Sequence, residues 1–123
     1  MSQKNSASIL RVLLSFKYSI HGLKSVWHEG AFRLECYLAV LFIFIGFICK
    51  LNWQHNLIII CSWLFVLIVE ILNSAIEACI DRISLDKHNL SKTAKDLGSA
   101  AVFLALILCL IINVAIIFNK IYY

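Results

Sequence analysis

An all-α integral membrane protein, with an amphipathic surface helix ahead of three transmembrane helices, is the fold class that this 123-residue sequence predicts. Three observations carry that expectation. The residues are 62% hydrophobic with a mean hydropathy of +0.89, more apolar than a soluble domain of this size can cover with its own polar surface. Apolar stretches recur along the chain between short charged connectors, with no Pro and only four Gly in the whole sequence. Lysines and arginines flank those stretches instead of interrupting them. On length alone the chain makes one domain.

Residues 1–8 are small and polar, and are expected to be loosely attached. From residue 9 to 28 the pattern turns helical. Leu13, Phe16, Ile20, Leu23 and Trp27 form an apolar stripe beside a basic one of Lys17, His21, Lys24 and His28. A helix lying in the membrane interface has this look, its lysines reaching to headgroups; a helix packed on a soluble partner is the alternative. Scattered charges over the first 35 residues, without a compact apolar core or a small-residue cleavage site, argue against a cleavable signal peptide.

The first transmembrane helix is expected over 31–49. Cys36–Cys49 alone is uncharged but short for a span of about 20 residues, so Ala31–Glu35 completes it. A polar connector from Lys50 to Asn56 leads to a second span at 57–80. Residues 82–95 read as a charged loop, and 97–119 as a third span with no formal charge. Lys4, Arg11, Lys17, Lys24 and Arg33, together with Arg82, Lys87, Lys92 and Lys95, fall on one side of a three-span arrangement, against Lys50 and Lys120 on the other. That asymmetry predicts a cytoplasmic N-terminus. The net charge of +4 is therefore read as membrane orientation, not nucleic-acid binding. The five cysteines, Cys36, Cys49, Cys61, Cys79 and Cys109, lie in apolar segments without a C-x-x-C pair and are expected to be free, packed thiols.

The second span holds the chemistry. Helical geometry puts Glu70, Asn73, Glu77 and Asp81 on one face, with Glu70 and Glu77 about 10 Å apart along the axis. An ionisable group in a membrane helix costs at least about 2.5–3.5 kcal/mol, so it marks a functional site unless the stripe only joins helices. All seven acids (Glu29, Glu35, Glu70, Glu77, Asp81, Asp86 and Asp96) fall at the predicted cytoplasmic side. One-sidedness suits an enzyme that joins a lipid headgroup to a cytosolic cosubstrate, whereas a transporter places such groups at the midplane. Carboxylates from two helices can hold a hard cation such as Mg²⁺ with phosphate and water. Burial strengthens a carboxylate as a base for a hydroxyl proton. Lys95 offers a point charge for phosphate, or snorkels at a helix start; Asp96 otherwise caps that helix. No G-x-x-x-x-G-K-[ST], Gly-rich kinase loop or H-R-D motif is present. From the residues alone, a membrane enzyme or transporter with a carboxylate–metal site remains.

Three segments narrow this choice. Val69–Glu77, Asp81-Arg82-Ile83 and Ala94–Val102, in this order and spacing, closely resemble the small bacterial integral-membrane diacylglycerol kinases, and Glu29 with Ala31-Phe32-Arg33 and Glu35 fits as well. The resemblance covers about residues 10 to 118. It implies a homotrimer of surface helix plus three membrane helices, with active sites shared between protomers, acting on diacylglycerol with ATP and Mg²⁺. By the same resemblance Glu70 is the general base, and Glu29 and Glu77 are the metal ligands. Arg11, Tyr18, Asp86, Lys87, His88, Lys95 and Asp96, with Glu29 and Glu77, match nucleotide-contacting positions. His88 is a close match there, Asp86 a conservative one, and Lys87 departs from the pattern. Ala31, Phe32, Arg33, Leu34, Glu35, Asn73 and Ser99, with Glu70, match positions lining the lipid site. Trp27-His28-Glu29 is one residue shorter than the family's usual spacing, which bears on the register of Arg11 and Tyr18. The rival readings are an undecaprenol kinase on the same scaffold, a small proton-coupled exporter, and a non-catalytic assembly subunit.

Overall fold

The computed structural model describes residues 2–83 and 88–122, with side chains from residue 11 onward. Four helices follow in order: α1 (Ser2–Val26), α2 (Gly30–Ile48), α3 (Trp53–Ile83) and α4 (Asn89–Tyr122). Among the described residues there is no strand. The last three helices are each long and apolar enough to cross a membrane, and the protein is a multi-pass helical membrane protein.

The helices run past the apolar stretches at several ends. α3 continues to Ile83 and α4 begins at Asn89, so most of the charged 82–95 segment is helical instead of looped. Charge keeps these residues out of hydrocarbon but does not stop a helix, and neither Pro nor Gly interrupts them. A Lys92–Asp96 pair at 3.3 Å, one turn apart, supports the start of α4. Residues 2–8 are likewise helical: α1 already begins at Ser2, because nothing in the first 21 residues breaks a helix.

α3 is the central element, packing α2 on one side and α4 on the other. Its buried row of Ile59, Trp63 and Val66 meets Ala39 of α2 and Ala105, Cys109 and Ile116 of α4. Phe42 lies against Trp63 with ring centroids 5.4 Å apart. In lipid, apolar burial drives little association, so close backbone approach and polar contacts must hold these helices together. Two such approaches are visible. A Cβ at Gly46 would collide with Asn56 Oδ1, and one at Gly98 would collide with Asn73 Oδ1. Each glycine thus admits an asparagine oxygen that makes no conventional hydrogen bond, in the manner of a Cα–H···O contact. Deeper in the bundle, fully buried Asn113 donates through Nδ2 to Ser62 Oγ at 3.0 Å and to its own helix at Cys109 O, 2.7 Å away.

α1 stands largely apart, with every side chain from Arg11 to Ser25 exposed. Among its described side chains the anchor lies at its end: Val26 is buried, and Trp27 meets Phe32 edge-on at 6.4 Å. α2 joins α3 through a tight turn. Leu51 N–H donates to Gly46 O and Lys50 N–H to Phe47 O, while Lys50 takes φ of 50°, in the left-handed region.

Candidate functional site

The α1–α2 junction sets Glu29. Its backbone is extended (φ −73°, ψ 129°) and it occupies the cap position of α2 without a side-chain cap bond, so its carboxylate is not consumed by the helix. His28 N–H and Glu29 N–H close the turn onto Ser25 O and Val26 O, and Arg33 Nη1 donates back to Trp27 O at 3.5 Å.

An open groove of about 310 Å³ begins beside this junction, lined by Glu29, Ala31, Glu70, Asn73, Ser74, Glu77, Ser99 and Val102. Three elements build it. α3 contributes Glu70, Asn73, Ser74 and Glu77 because the 3.6-residue period returns them to one side. α4 contributes Ser99 and Val102, drawn close because Gly98 lets Asn73 approach its backbone. Glu70 and Asn73 are buried, Glu77 is half-buried, and Glu29 and Ser99 are exposed, so the groove grades from dry to wet across three carboxylates. Asn73 Nδ2 donates to Glu77 Oε1 at 3.2 Å, which fixes one carboxylate oxygen; among the described residues the other has no hydrogen-bond partner.

The groove suits a hard cation on the chemistry of its donors. Glu29, uncommitted to its helix cap, and Glu77 both line the groove, which has room for phosphate and water to complete a cation's shell. Among the described residues no group of three or more His, Cys, Asp or Glu side chains is arranged to hold a metal ion. A cation here would therefore be shared with a substrate.

Other residues singled out in the sequence lie around the groove. Glu35 is buried on α2 with Oε2 unpartnered, but it is not a groove wall. Phe32 is buried under Trp27, Arg33 is half-buried, and Leu34 is exposed. Lys95 reaches across from α4 to α3, donating to Asp81 Oδ1 at 2.6 Å. Asp96 faces outward to Lys92, two turns inside α4, so it does not cap that helix; His88 Nδ1 instead accepts from Leu90 N–H at the helix start. Arg11 and Tyr18, two turns apart on exposed α1, share a face and do not line the groove. Asp86 and Lys87 lie outside the described residues. Ser74 and Val102 were not anticipated as groove walls. Their only signal is proximity to Asn73 and Ser99, which helical periodicity alone does not promote to a site.

The chain matches the family described as prokaryotic diacylglycerol kinase over residues 17–117. It is 43% identical over 102 residues to a diacylglycerol kinase of Haemophilus influenzae, covering 82% of this chain and 86% of that protein. It is likewise 43% identical over 104 residues to one from Pseudomonas aeruginosa, covering 84% and 85%. With the diacylglycerol kinase of Escherichia coli K12 it shares 42% identity over 108 residues, 87% of this chain and 88% of the relative.

Proposed function

Because the chain belongs to the prokaryotic diacylglycerol kinase family and is a lipid kinase, we propose that it transfers the γ-phosphoryl group of ATP to diacylglycerol, forming phosphatidic acid and ADP. The observation that carries this reading is the shared groove. A buried Glu70 and the more exposed Glu29 and Glu77 meet where the apolar spans give way to charge.

Glu70 takes the proton of the lipid hydroxyl as that oxygen bonds to the γ-phosphorus and the bond from phosphorus to the ADP oxygen breaks. Its burial suits the role, since a base screened from water meets its proton donor without competition. Glu29 and Glu77 would hold Mg²⁺, with Asn73 keeping Glu77 in place through its hydrogen bond. Mg²⁺ supplies charge neutralisation of the phosphates. Lys95 and Asp96, with His88 at the head of α4 and Asp86 and Lys87 before it, contact the nucleotide, as do Arg11 and Tyr18 from α1. Ala31–Glu35, Asn73 and Ser99 receive the lipid head and its first carbons.

The inner membrane is the proposed location, with the N-terminus and groove cytoplasmic, supported by the lysine and arginine asymmetry. A homotrimer with shared sites is proposed as well. The groove is open on one side and none of the described residues of α1 lines it, so neighbouring protomers have space to close it. The decisive experiment offers labelled ATP and Mg²⁺ to the purified protein in mixed micelles holding diacylglycerol or undecaprenol, and identifies the product. Labelled phosphatidic acid is expected; label in undecaprenyl phosphate alone would replace the substrate assignment with the other lipid alcohol.

A further inference from the structure

Among the described residues, Lys95 and Asp81 form the one ion pair that joins two helices, and nothing yet assigned to the groove requires Asp81. Asp81 lies one turn beyond Glu77 on the same face of α3, about 6 Å along the axis. The Lys95 ammonium sits on Asp81 at 2.6 Å and remains within electrostatic range of Glu77. A lysine stem is flexible enough to reach either carboxylate.

Two destinations therefore compete for one ammonium, and they differ in consequence. On Glu77, whose Oε1 already accepts from Asn73, the ammonium would take the remaining oxygen and cancel the charge that a hard cation needs. On Asp81 it leaves Glu77 free. The side chains of Lys95 and Asp81 are 38% and 49% exposed, so their pair is weak enough to yield the ammonium to an arriving triphosphate.

We propose that Asp81 is a positioning residue that holds Lys95 one turn away from Glu77, keeping the Glu77 carboxylate open for the divalent cation and poising the ammonium for phosphate. This rests on the reading of Glu77 as a metal ligand and Lys95 as a phosphate contact given above. A surface ion pair with a purely structural role would predict no selective effect on metal dependence.

The test uses the full-length protein in detergent micelles with Asp81→Asn, Asp81→Glu, Lys95→Met, Glu77→Gln and the Asp81→Asn/Lys95→Met double variant. Kinetics give the Mg²⁺ dependence, and electron paramagnetic resonance gives Mn²⁺ binding in the presence of a non-hydrolysable ATP analogue. Asp81→Asn is expected to raise the half-saturating Mg²⁺ concentration and weaken Mn²⁺ binding by roughly 3–10-fold, with turnover at saturating Mg²⁺ within about twofold. Asp81→Glu restores both dependences. In the Lys95→Met background Asp81→Asn adds no further shift, since no ammonium is left to capture Glu77. Unchanged metal dependence in Asp81→Asn, while Glu77→Gln and Lys95→Met do alter metal and nucleotide dependence, overturns the proposal and leaves the site reading intact. If Glu77→Gln and Lys95→Met alter neither dependence, the site reading fails and takes the proposal with it. Lost turnover in Asp81→Asn that Asp81→Glu does not recover also overturns it, in favour of a structural role.

Discussion

Glu70 is the side chain whose position is hardest to explain without chemistry. It is buried at the edge of an apolar span, where a carboxylate costs at least about 2.5–3.5 kcal/mol, and a glutamine would supply the same shape at less cost. Replacement Glu70→Gln keeps hydrogen bonding but removes the proton acceptor. Turnover is expected to fall by about 10²-fold or more while folding and lipid binding survive, a combination that steady-state kinetics and a lipid-binding assay would check together. With Glu29 and Glu77 as the proposed ligands of the cation, Glu29→Gln and Glu77→Gln are each expected to raise the Mg²⁺ requirement. If both hold the same ion, as proposed, the double variant should lose less than the sum of the two single losses. A Mg²⁺ titration of all three variants makes the comparison, and additive losses would place the two acids at separate sites.

Helix ends and crossings decide where these side chains arrive. α2 closes in a left-handed residue, a position that ordinarily takes glycine, yet Lys50 occupies it at φ of 50° while Leu51 beyond it is buried. The lysine is there at a cost in backbone strain. Lys50→Gly is expected to stabilise the protein by about 0.5–1 kcal/mol in a denaturing-detergent titration, with no change in turnover, since the turn lies at the opposite end of α3 from the groove. The crossing of α3 and α4 is sensitive in the other direction. Asn73 approaches the α4 backbone because Gly98 has no side chain, and the same approach brings Ser99 and Val102 into the groove wall. Gly98→Val would push the helices apart beside Asn73. A loss of about 1–3 kcal/mol in the same titration is expected, the usual cost of overpacking, together with weaker lipid binding.

Three membrane helices enclose little. The groove is bounded by α3, α4 and the head of α2 and stays open on the remaining side, while the α1 side chains from Arg11 to Ser25 are exposed. A site that must hold a lipid hydroxyl and a triphosphate together needs more wall than this, and neighbouring copies are the proposed source. If one site draws Glu70 and Asp96 from different protomers, chains carrying Glu70→Gln and chains carrying Asp96→Asn, each inactive alone, should recover partial activity when mixed in denaturing detergent and refolded together. Tagged chains would confirm mixed oligomers. Activity no higher than that of either variant refolded alone would place both residues in one protomer.

Composition and periodicity were enough to determine a helical membrane protein, because hydrocarbon demands long apolar helices and leaves their count readable from the sequence. The acids were legible for the same reason: Glu70 and Glu77 stand out where charge is expensive, and a two-turn spacing puts them on one face without further knowledge. The one-sided acids already disfavoured the exporter and the assembly subunit, and kinship with lipid kinases set them aside. Helix ends were less legible at 82–95, since charge reports where lipid stops and not where hydrogen bonding stops. Only the tertiary structure decided which elements meet. Gly98 opposite Asn73, Ser62 beneath Asn113 and Lys95 on Asp81 join residues far apart in the chain, and no local pattern announces such partners. In lipid the hydrophobic effect does not choose which helix faces meet, so these small-residue approaches and polar contacts choose them.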